Sequence, residues 1–143
     1  MGQGSIIGYE INEKTCQISF YNEKDLEPDT LEVDTDNYQI PLIIGKLRDT
    51  CAYGKEAKRL VTIKDGFTAT RLLSKSLAGD KIEFGEETYD AVWLLSQFIQ
   101  MSLQSFPEID GIVFTVPSLS EEMAQMLRGI AVRMNIDKRN IFI

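Results

Sequence analysis

The run DGIVFTVP, residues 110–117, is the feature that most restricts the fold. Ile112, Val113, Phe114 and Val116 are apolar with little alternation, which is the pattern of a parallel strand buried on both faces. A helix follows. Ser118 or Ser120 can cap it, and Glu121 and Glu122 suit its positive first turn. Leu119, Met123, Met126, Leu127, Ile130, Ala131 and Met134 recur at helical spacing, and such a methionine stripe reads as core rather than as a cofactor box. Asn140-Ile-Phe-Ile143 then begins another buried strand. Strand, helix, strand predicts a parallel pair joined by a right-handed crossover.

The other end of the chain reads differently. Residues 5–10 are apolar enough for a strand. Residues 15–21 set Cys16, Ile18 and Phe20 against Thr15, Gln17 and Ser19, the period of two that marks a half-buried strand. A tight turn, Ile11-Asn12-Glu13-Lys14, joins the two. Residues 38–47 are a third strand candidate, with Pro41 near its start where a missing N–H is tolerated at a sheet edge. Between the ends, residues 55–60 and 68–77 read as short helices, the second closed by Gly79. Residues 81–84 read as a short strand. Residues 86–105 read as a long helix, with Tyr89, Val92, Trp93, Ser96, Ile99 and Leu103 at three- and four-residue steps.

These elements predict an α/β domain over 1–143. Its mixed sheet has three antiparallel strands plus two parallel ones, and residues 5–10 lie at the centre. A small helical insertion occupies about 51–105, because that stretch is long for a connection. Trp93, Ile99, Val113, Met123, Leu127 and Ile130 form the expected core. A chain that stops on bare apolar β residues reads as a domain cut from a longer protein.

Composition removes several function classes. The chain has no histidine, so histidine metal sites and the usual histidine triads are excluded. Cys16 and Cys51 fit no metal spacing and read as reduced thiols of a cytosolic protein. No apolar run approaches the roughly 20 residues that span a bilayer, and the start, Met1-Gly-Gln-Gly-Ser5, lacks the regions of a signal peptide. Of the net charge of −7, the stretch from Glu23 to Asp36 carries −6, with seven acids against Lys24. A nucleic-acid surface needs clustered Lys and Arg, so nucleic acid is not an expected partner. Asp34-Thr-Asp36-Asn fails as a calcium loop, since Gln39 stands where the sharp turn needs glycine and no closing glutamate follows.

Four segments in collinear order resemble the first, N-terminal lobe of the actin, sugar-kinase and heat-shock-chaperone ATPase superfamily. IIGYEI with its hairpin looks like the opening strand and first phosphate loop. YQIPLIIGK and YGKEAKRL are similar to a strand begun by proline and the G-x-x-A helix after it. IDGIVFTVPSLSEEMAQMLRGIAVRMNI resembles the chaperone-type TVP strand and its long helix. The chain also resembles a group of bacterial actin-like proteins that open with GYEIN…CQISFY. The resemblance implies a ribonuclease-H-like fold, a second lobe of the same parent chain as partner, and Mg-ATP as the cofactor of that parent.

The resemblance also assigns the opening turn. In working members an Asp ends the first strand and organises Mg²⁺, and glycine and hydroxyl residues then cradle phosphate. Here Glu10 takes the Asp position, Asn12 falls where glycine is expected, and Glu13 and Lys14 fall where hydroxyl residues are expected. These four are the cofactor-binding residues if the loop is functional. Glu13 argues against that. Its carboxylate would repel a phosphate by roughly 4 kcal/mol at about 4 Å and an effective dielectric of about 20. Lys14 offsets part of this, as actin-like members do place a lysine in the loop. A plain reverse turn, with Asn tolerating positive φ, accounts for the same residues.

Asp65-Gly66 and Asp110-Gly111 do not have the D-x-G spacing of a second phosphate loop, and half a site cannot hydrolyse ATP. The expected function is therefore that of a non-catalytic lobe serving interaction or assembly with a protein partner. The alternative is the ATP-binding half of a slow Mg-dependent ATPase. A nuclease on the same sheet would need carboxylates meeting at one edge, and Glu10 and Asp110 fall at opposite ends of their strands.

Overall fold

The computed structural model describes residues 4–22, 28–32 and 37–143. The calcium-like Asp34-Thr-Asp36 and much of the acidic stretch lie outside the described residues. The chain divides into two compact units. The first holds Met1–Ile11, Cys16–Gln39 and Leu103–Ile143, and the second holds Asn12–Thr15 and Ile40–Ser102.

In the first unit, β1 (Ser5–Ile11), β2 (Thr15–Asn22) and β3 (Asp29–Thr30) are followed much later by β10 (Ile109–Thr115) and β11 (Ile141–Phe142). The order across the sheet is β11-β10-β1-β2-β3. β1 pairs with β10 in parallel, β10 with β11 in parallel, and β2 is antiparallel to both β1 and β3. The domain is thus α/β with a mixed sheet and β1 at its centre. Helix α4 (Glu121–Arg133) makes the connection between the parallel strands. Its cap is Ser120, whose side chain accepts from the Met123 N–H at 3.1 Å; Leu119 precedes the helix and is exposed.

The sheet alternates as its pleat requires. Ile7, Tyr9 and Ile11 face inward with Cys16, Ile18, Ile112 and Phe114, and all are buried. Tyr9 and Phe114 meet edge to face with centroids 5.7 Å apart, and Phe20 packs on Phe106. Met123, Leu127 and Ile130 are buried, as their stripe predicts. Val113 is not. It lies between Gly8 and Phe142 on the face opposite Ile112 and Phe114, and is 40% exposed. The apolar run conceals an alternation that the neighbouring strands reveal.

The 38–47 stretch, expected as one strand, is only in part a strand of the large sheet: its beginning pairs with β2 there, and the rest belongs to the second unit. It splits into β4 (Gln39–Pro41) and β5 (Ile44–Leu47). Pro41 has no N–H, and its carbonyl accepts from the Ile43 N–H at 2.9 Å, a tight turn that interrupts the run. The large sheet thus has six strands, β4 and β3 both pairing with β2, and β3 antiparallel to it. β5 is the middle of a separate antiparallel sheet, between β6 (Thr50–Tyr53) and β7 (Gly66–Ala69). Helix α1 (Lys55–Lys58) and a 3-10 turn (Arg59–Thr62) lie against β5. A Cβ on Gly45 would stand 2.8 Å from Leu60 Cδ1 and 3.1 Å from Ala57 Cβ, so the absent side chain lets the helix and the 3-10 turn pack close to β5.

The stretch 51–105, expected as a helical insertion, therefore carries strands as well as helices. Residues 68–77 begin as β7, in keeping with Phe67 and Thr68, and only Leu72–Leu77 is helical, as α2. The long helix expected over 86–105 is also shorter. β8 (Lys81–Phe84) pairs with β9 (Glu87–Asp90) about a two-residue turn begun by Gly85 at φ 75°. Helix α3 (Ala91–Ser102) starts only after it. This moves the buried stripe to Ala91, Leu94, Leu95, Phe98, Ile99 and Ser102. Ile99 is buried as expected. Trp93 falls on the flank, 43% exposed, with its ring stacked on Tyr89 at 4.8 Å.

Candidate functional site

Glu10 lies on β1 of the first unit, opposite Gln17 on one side and Thr115 on the other. It is exposed, on the outward face with Ile6 and Gly8. Asp110 stands at the start of β10, five residues before Glu10's partner Thr115, which is about 16 Å at roughly 3.3 Å per residue. Among the described residues no group of three or more His, Cys, Asp or Glu is placed to hold a metal ion.

Asn12, Glu13 and Lys14 share the turn Asn12–Thr15, which belongs to the second unit. The Asn12 carboxamide closes it. Asn12 Oδ1 accepts from the N–H groups of Lys14 at 2.8 Å and Thr15 at 2.9 Å, and Nδ2 lies 3.2 Å from Thr15 Oγ1. The Asn12 N–H donates to the Thr15 carbonyl at 3.0 Å. This is an Asx turn, in which the side-chain oxygen stands in for a backbone carbonyl, and it occupies the N–H groups of Lys14 and Thr15. The Lys14 carbonyl in turn accepts from the Leu42 N–H at 2.8 Å, fixing the turn to the residues after β4.

Glu13 also has a structural partner. Its Oε1 accepts from the Ser74 N–H at 3.0 Å. Ser74 is the third residue of α2, whose cap residue Arg71 makes no side-chain capping bond and holds the left-handed conformation, φ 55° and ψ 38°. A non-glycine residue in that region costs about 1–2 kcal/mol. Glu13 thus fills from a distance the role that a Ser or Asp at the cap position would fill locally. The carboxylate that reads as a defect in a phosphate loop is the capping group of a neighbouring helix.

Beside the turn is an open groove of about 410 Å³. Lys14, Lys58 and Arg71 line it, from the turn, from α1 and from the start of α2, together with Glu13, Thr15 and Thr70. Pro41, Leu42 and Ile43 supply its apolar wall. Among the described residues none of the three cations has an ion-pair partner; the surface pairs run Arg59–Glu56 and Arg139–Asp137. Sequence reasoning missed Lys58, Thr70 and Arg71. They join Lys14 only through the pairing of β5 with β7 and the placement of α1, which no local pattern signals. An Arg standing where α2 needs a cap was the one available hint.

A family model described as "Family of unknown function (DUF5716) C-terminal" matches residues 27–143. The chain belongs to this family. No curated protein matches the chain. Asn12, Glu13, Lys14 and Thr15 precede the matched segment, whereas Lys58, Thr70 and Arg71 fall inside it.

No described helix is long and apolar enough to cross a membrane. The two thiols differ in setting. Cys51 is exposed and Cys16 is buried. Burial pushes the Cys16 thiol up to about 12, against a smaller opposing effect of its hydrogen bond with Tyr9. On the surface, the Arg139 guanidinium holds the Asp137 carboxyl down at about 2, through side-chain hydrogen bonds and its backbone N–H.

Proposed function

We propose that this chain is a non-catalytic interaction domain of the cytoplasm, built on a ribonuclease-H-like lobe of the actin and chaperone type. The strand order β11-β10-β1-β2-β3, with a strand–helix–strand crossover, supports the architectural part. One observation carries the functional part. The N–H groups of Lys14 and Thr15 donate to Asn12, and the Glu13 carboxylate accepts from Ser74, so the turn spends on itself the groups a phosphate cradle would offer. The partner in this reading is a second lobe of a longer parent chain or another protein.

Isothermal titration with Mg-ATP tests it. No saturable heat is expected up to millimolar ligand, an affinity of about 4 kcal/mol. Saturable binding that Glu10→Ala abolishes would overturn the reading. The groove favours a second reading, in which Lys14, Lys58 and Arg71 bind the phosphates of Mg-ATP once another lobe completes the site. That version predicts Mg-ATP binding by the parent protein and its loss on Lys58→Ala.

A further inference from the structure

We propose that the groove beside the Asn12–Thr15 turn receives an acidic peptide segment that also carries apolar side chains. The inference rests on the interaction-domain reading and names the chemistry of the partner. Three features of the groove support it. Lys14, Lys58 and Arg71 gather in one concavity of a chain whose net charge is −7, and none has an ion-pair partner among the described residues. Pro41 and Ile43 beside them are only half-buried, and offer apolar surface within the same groove. At about 410 Å³ the space admits several side chains, in the size range of ordinary ligand sites.

The donors decide between a peptide and a phosphate. Tight phosphate binding draws on backbone N–H groups that converge on one point. Here the N–H groups of Lys14, Thr15 and Ser74 already have side-chain acceptors, so the cations on their flexible stems are what the groove presents. The Glu13 carboxylate in the lining repels a dense polyanion more than it repels single carboxylates spread along a chain. Carboxylates spaced along a peptide, with apolar residues between them, match this arrangement better than a triphosphate does.

Fluorescence anisotropy with a labelled random copolymer of glutamate and tyrosine tests the proposal on the whole chain. Saturable binding is expected, weakening as salt is raised, with no binding of a lysine–tyrosine copolymer. Lys14→Glu and Lys58→Glu should each lower affinity by about tenfold. Both side chains are exposed, so thermal melts should confirm that the variants keep their fold. Absence of saturable binding, or affinity unchanged by both reversals, would overturn the proposal. So would displacement of the copolymer by sodium triphosphate at a lower concentration than by unlabelled copolymer, which would assign the groove to phosphate. A null copolymer result beside a null Mg-ATP titration removes this inference and leaves the functional reading standing; Mg-ATP binding removes both.

Discussion

The two units build their sheets from strands of different length. In the first, β1, β2 and β10 run seven, eight and seven residues. In the second, β5 to β9 are four residues each. A seven-residue strand completes three alternations and carries its own identity. A four-residue strand shows two, which a helical phase fits equally well, so its state is decided by its partner. The long strands of the first unit are thus marked by their own sequence, and the short strands of the second by the neighbours they pair with, β5 with β6 and β7 and β8 with β9.

The difference predicts where substitution hurts. Phe114→Ala, in the core of the first unit against Tyr9, should cost about 3–5 kcal/mol in urea unfolding. Trp93→Ala in the second unit should cost less, about 1–3 kcal/mol, because its ring is partly solvated and loses its stack on Tyr89 together with only part of a full burial. Equal losses would erase the contrast. Next is Gly66→Ala. A Cβ there would stand 2.8 Å from the Leu60 carbonyl oxygen and 3.1 Å from that of Ile63, backbone that cannot swing away. The expected loss is about 1–3 kcal/mol, and a neutral result would mean that β7 and the turn before it are looser than described.

These sites also show what the sequence could convey. The central strands of the first unit were readable because β2 shows its period of two, β10 stands out as an apolar run, and α4 has a Ser cap and first-turn acids. Val113 was misread because a run of apolar residues hides which face each occupies. In the second unit, Pro41 marked the break between β4 and β5, yet nothing local said that the following strand would leave for a different sheet. Gly85 marked the β8–β9 turn, but the helical spacing around it suggested one long helix. Of the candidate site, the turn residues were legible by position. Glu13's bond to Ser74 was not, because a cap supplied from sixty-one residues away leaves no mark near the helix.

Smaller effects sharpen the same comparison. Glu13→Ala should lower stability by about 0.5–1 kcal/mol, the loss of an exposed cap. Urea unfolding is the check, and a loss above about 2 kcal/mol would mean that the turn holds more of the second unit together than its hydrogen bonds account for. The thiols should separate by unit. At pH 8 a thiol reagent should label Cys51 at once and Cys16 only as the chain unfolds. Unfolded Cys16 ionises near 9 and folded Cys16 near 12, so the native state holds the extra proton in between. Its contribution to stability is complete below about pH 9 and is lost as pH rises toward 12. Equal labelling of both cysteines in the native state would contradict the burial of Cys16.

The central claim is that the Asn12–Thr15 turn is closed on its own side chains. Amide resonances of Lys14, Thr15 and Ser74, followed by ¹H–¹⁵N spectra during titration with Mg-ATP, test it most directly. All three should stay fixed through millimolar ligand, and Lys14 and Thr15 should shift in Asn12→Ala without any ligand. Saturable movement of these amides on adding Mg-ATP, absent in Glu10→Ala, would contradict it.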